Sequence, residues 1–172
     1  MSTTFLGKIN LADILHEHFA TLIDTNTDKS SLTDRLLFFV GPAIPVAVMV
    51  VYSVKLTEGT ISVLGTALSI LAGLLFNLLV LLHTLTMPHR GQPFDRSVAL
   101  LQRQLHANVA YAILVALIAL VPLVVASYFG PLDLRRSVTG YIAIYLAIHF
   151  ALTMGMILKR MDTLLQERVS ED

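Results

Sequence analysis

Residues 61–82 read ISVLGTALSILAGLLFNLLVLL, with no Asp, Glu, Lys or Arg among them. A hydrocarbon core of about 30 Å is crossed by about 20 helical residues, each rising 1.5 Å. In lipid no water meets a free backbone N–H or C=O, so a run of this length must be helical. It is also far longer than a strand, which typically has about 5–6 residues. Three further runs match it: 36–54 (LLFFVGPAIPVAVMVVYSV), 109–129 (VAYAILVALIALVPLVVASYF) and 138–158 (VTGYIAIYLAIHFALTMGMIL). The sequence therefore predicts an all-α polytopic membrane protein with four transmembrane helices.

Composition agrees. Of 172 residues, 55% are of the apolar set and only 14% are charged, against about 25% charged in soluble domains. The mean hydropathy is +0.74. Twelve basic residues balance twelve acidic ones, which removes the electrostatic footprint of a nucleic-acid binder. Without cysteine there is no disulfide framework, thiol nucleophile or thiolate metal site.

An even number of spans puts both termini on one side. That side holds Lys8, Lys29, Arg35, Arg90, Arg96, Arg103, Lys159, Arg160 and Arg168; the other holds Lys55, Arg135 and Arg136. The basic excess marks the cytoplasm, so both termini and the central loop are expected there, in a bacterial inner membrane. The Arg135–Arg136 pair argues against this orientation. Residues 1–33 contain Asp13, Glu17, Asp24 and Asp28 and no long apolar run, so no cleavable signal is expected.

The expected domains are a cytoplasmic segment 1–34, a four-helix domain 35–159 and a cytoplasmic helical tail 160–172. Within the first, residues 10–24 (NLADILHEHFATLID) place Leu11, Ile14, Leu15, Phe19 and Leu22 on one helical face. Asn10 can cap this helix at 11–24. Its polar face is acidic, whereas helices lying on anionic lipid carry basic ones. The apolar stripe is thus expected to bind protein, either this chain's own helices or a cytoplasmic partner. The run Asp24-Thr25-Asn26-Thr27-Asp28 begins like an EF-hand loop, but Lys29 and Arg35 stand where Gly and Glu are required. Ser31 and Asp34 suit a capping box for the first span.

Small residues recur every four positions in two spans: Gly65, Ser69, Gly73 and Asn77, and Thr139, Ala143, Ala147, Ala151 and Gly155. Such stripes let helices approach closely in lipid. They are expected to pack the four helices together or to join subunits of a homo-oligomer. Asn77 and His149 lie inside spans, where an unpaired polar group is costly; they are expected at a lumen or at a polar contact between helices. Pro42, Pro45 and Pro122 each remove a helical donor and can kink their spans.

His83, His89 and His106 gather near one interface, while His16 and His18 point apart; no pair has metal-ligand spacing. No H-E-x-x-H, G-x-S-x-G, P-loop or G-x-G-x-x-G occurs, and no span holds a carboxylate. No enzyme activity, cofactor or metal is expected. Three readings remain: a scaffold or sensor recruiting a cytoplasmic partner, a homo-oligomeric pore or membrane-perturbing effector, and a small transporter. The four runs, with the cytoplasmic segments 8–34 and 159–172, resemble the small four-span membrane subunits of bacterial phage-defence systems, such as that of the Kiwa system. That resemblance is one of layout, and it implies an inner-membrane oligomer working with a cytoplasmic protein.

Overall fold

The computed structural model describes residues 15, 18, 32–85, 96–130 and 133–170. These are helical, with no strand among them: α1 (Leu32–Val40), α2 (Ala43–Val51), α3 (Glu58–Leu85), α4 (Arg96–Ser127) and α5 (Leu134–Ser170). Three stretches, Glu58–Thr84, Gln102–Ser127 and Leu134–Asp162, are long and apolar enough to cross a membrane. The segments 86–95 and 171–172, the side chains of the tail from 163 on, and most of 1–31 lie outside the described residues. With them go Leu11, Ile14, Phe19 and Leu22, the Asn10 cap and Ser31.

The first expected span differs from its prediction. Residues 36–54 do not form one helix: α1 and α2 have nine residues each and meet at a turn, Gly41–Pro42. Pro42 has no N–H to give the carbonyl four residues back, so the α1 ladder stops there. Pro45 is tolerated in the first turn of α2, where amides lack helical acceptors anyway. The helix then ends at Val51 rather than 54. Val54 N–H bonds the Met49 carbonyl at 2.9 Å and Ser53 N–H the Val50 carbonyl at 3.1 Å, the bond pair of a Schellman cap. Ser53 takes the left-handed position with φ 50°, where glycine is the usual residue. The described apolar helix Leu36–Val51 spans about 24 Å at 1.5 Å per residue, short of the about 30 Å core.

Side chains cap the next helices. Thr57 Oγ1 accepts from Thr60 N–H at 3.1 Å to start α3, and Asp133 Oδ1 accepts from Arg135 N–H at 2.8 Å to start α5. The Gln102–Ser127 stretch of α4 is the central element, packed on α3 and on α5, which barely touch each other. α3 contributes Ile61, Leu68, Ala72, Leu75 and Leu82, the spacing of a heptad seam. α4 contributes Ala112, Ala116, Ala119 and Ala126, all fully buried, and α5 the fully buried Ala143. α4 stays helical through Pro122.

Among the described helices, the split helix α1–α2 packs mainly on α5, and α2 buries none of its residues. Where the chain leaves it, Leu56 packs against Gly140 of α5 so closely that a Cβ there would collide with it.

Candidate functional site

The break at Pro42 generates the site. Pro42 leaves the carbonyl of Phe38, a buried residue, without a helical donor. His149 of α5 supplies the donor: its Nδ1 lies 3.0 Å from Phe38 O. Tyr145, one turn earlier on α5, donates its O–H to Phe39 O at 3.1 Å. One further turn back, Tyr141 donates to Val54 O at 3.0 Å, beyond the end of α2. Three side chains four residues apart thus grip the backbone of the split helix.

Because a carbonyl only accepts, His149 carries its proton on Nδ1, and its Nε2 is left as an acceptor. Tyr111 of α4 donates to that Nε2 at 2.7 Å. Phe38 stands edge-on to the imidazole, and Tyr145 lies parallel to it. His149 is 4% exposed and Tyr111 5%. His149 is therefore a polar contact between helices, turned inward within the chain, with both ring nitrogens committed. Thr153, the next residue of the same stripe, bonds the His149 carbonyl at 3.0 Å.

The network continues toward the start of α4. The His18 ring stacks on Tyr111, centroids 3.7 Å apart and planes 8° apart. Its Nδ1 donates to Asn108 Oδ1 at 2.8 Å. Arg160 Nη1 donates to Gln104 Oε1 at 2.6 Å. Gln104, Asn108 and Tyr111 occupy i, i+4 and i+7, one face of α4. Burial pushes the His18 pKa from its ordinary 6.5 down to about 4, against the Asn108 hydrogen bond and with help from the charge of Arg160. An apolar cavity of about 170 Å³ lies beside this cluster, lined by Leu15, Phe39, Tyr111, Ile118, Tyr145 and His149 among others.

The other candidate residues fall elsewhere. Leu15 is 38% exposed at the rim of that cavity. On α3, Ser69, Gly73 and Asn77 are exposed and Gly65 half-buried. A Cβ at Gly65 or Gly73 would meet no atom within 4 Å. Gly65 and Ser69 line an open groove of about 550 Å³ between α3 and α4. The second stripe is divided: Ala143 is buried, Thr139 and Ala147 are half-buried, and Ala151 and Gly155 are exposed. The two stripes therefore do not meet face to face within the chain.

At the far end of the spans, Arg136 is buried. Its Nη1 donates to Phe129 O at 3.2 Å and lies 3.5 Å from the carboxylate of Glu58. From the sequence it counted, with Arg135, as a basic pair against the expected orientation.

The pattern analysis missed the Tyr141–Tyr145–His149–Thr153 stripe and the Gln104–Asn108–Tyr111 face. Both were written in four- and three-residue spacings of polar side chains inside apolar runs. Fold and site together define a multi-pass helical membrane protein with a buried imidazole–phenol network across its helix interfaces. No protein-family model, curated protein or solved structure matches the chain.

Proposed function

We propose that the chain is a non-enzymatic, homo-oligomeric scaffold or sensor subunit of the bacterial inner membrane. It recruits a cytoplasmic protein through its N-terminal segment, with phage defence as the setting implied by the resemblance. The observation that carries this reading is the uncovered face of α3. Gly65 and Gly73 have open space above them, and Ser69 and Asn77 beside them are exposed. In lipid, a face of small residues with an exposed carboxamide favours association with another helix. The polar groups around His149 are instead used up inside the subunit, which argues against His149 lining a pore.

In this reading Leu36–Val51 makes the fourth crossing, short and tilted little, and both termini face the cytoplasm. The stripe Leu11, Ile14, Leu15, Phe19 and Leu22 is the partner-facing surface.

Native mass spectrometry of the protein in nanodiscs tests the oligomer. The wild type should give a defined oligomer and Gly73→Leu smaller species. A wild type that is monomeric both in nanodiscs and in mild detergent would discard this reading. Reporters after Asp172 and near Glu58 should lie on opposite sides, the first in the cytoplasm. Purified protein that conducts ions in planar bilayers would favour the pore instead.

A further inference from the structure

We infer that His18 is a proton-operated pin on α4, let go when its ring becomes charged. This goes beyond the scaffold reading and stands whether or not a partner is recruited.

The geometry is that of a neutral ring. His18 is 1% exposed, although it belongs to a segment outside the spanning helices. Its face is stacked on Tyr111 and its Nδ1–H is spent on Asn108. Among the described residues, the titratable groups that face it are Tyr111 on α4 and His149 and Arg160 on α5. Arg160 brings a positive charge from α5, where its guanidinium is anchored on Gln104. A second positive charge on the ring would thus be desolvated and repelled. Released into water, the same ring takes up a proton near pH 6.5.

The direction follows by linkage. The docked ring has the lower pKa, so the released state binds the proton first. Docking is strongest above about pH 6.5 and weakens as the pH falls toward about 4. With those two values the docking constant drops about 30-fold between pH 7.5 and 5.

The chain has no tryptophan, so Leu15→Trp in the full-length protein, held in nanodiscs, reports on this segment alone. Acrylamide quenching of that residue should rise reversibly as the pH falls from 7.5 to 5. In the His18→Gln background, which keeps an N–H for Asn108 but cannot titrate in this range, quenching should stay low and flat. A flat response with His18, or the same rise with His18→Gln, overturns the proposal. If Leu15→Trp is already fully quenched at pH 7.5, the unsubstituted protein labelled with 15N-histidine decides. The imidazole resonance absent from His18→Gln should titrate well below 6.5, and an ordinary titration near 6.5 overturns the proposal.

Discussion

His149 Nδ1 stands 3.0 Å from the carbonyl of Phe38, and that carbonyl is the one Pro42 deprives of its helical donor. A defect in one helix is thereby repaired by a side chain 111 positions away. The same ring accepts from Tyr111, so the break in the first apolar run is tied to the central helix α4 through a single imidazole.

The repair predicts a coupling between Pro42 and His149. His149→Leu removes the donor to Phe38 and strands the Tyr111 hydroxyl, which should destabilise the protein by about 2 kcal/mol. Pro42→Ala returns a backbone N–H that can close onto Phe38, so in that background His149→Leu should cost about 1 kcal/mol less. Reversible unfolding in mixed detergent measures both. Equal costs in the two backgrounds would show that the carbonyl does not need the imidazole.

Ser53 predicts a gain. It holds φ 50° at the cap of α2, a conformation that costs an L side chain about 1–2 kcal/mol and glycine little. Ser53→Gly should therefore raise stability by about 0.5–1 kcal/mol, discounted for the greater freedom of glycine in the unfolded chain. The thermal midpoint should rise, and an unchanged or lower midpoint would count against the Schellman cap.

Two glycines should respond oppositely to the same added methyl group. At Gly140 a Cβ collides with Leu56, whereas at Gly73 it meets open space. Gly140→Ala should cost about 1 kcal/mol, because only the tip of the Leu56 side chain must turn aside, and Leu56→Ala should recover part of that loss. Gly73→Ala should be neutral or slightly favourable to the monomer, since alanine suits a helix better. Unfolding free energies of the four variants in detergent settle the contrast, and a Gly140→Ala as stable as Gly73→Ala would sink it.

The three long helices were legible in the sequence because length and the absence of charge are local properties, and lipid leaves no other conformation open. The break in 36–54 was half legible. Pro42 and Pro45 were visible, but whether a membrane helix bends or divides at proline depends on what receives the freed carbonyls. Those receivers, Tyr145 and His149, lie a hundred residues further on. His149 stood out as a polar residue in an apolar run, whereas its donor Tyr111 looked like any interfacial aromatic. His18 was weighed only beside His16, from which it points apart, and the pair lacked metal-ligand spacing. Its partners, Asn108 and Tyr111, are brought to it only by tertiary packing. Gly73 and its neighbours were recognised as a close-packing stripe, yet that face is turned away from the chain's own helices.

Tyr141, Tyr145 and His149 all grip main-chain oxygens, those of Val54, Phe39 and Phe38. A carbonyl is common to every amino acid, so this contact reads the path of the split helix and not its composition. Tolerance to substitution is accordingly lopsided across it. Exposed positions of α2 such as Ile44, Val48 and Val51 can exchange among apolar residues without disturbing the contact. The three rungs on α5 cannot, since each needs a donor of one reach at one height.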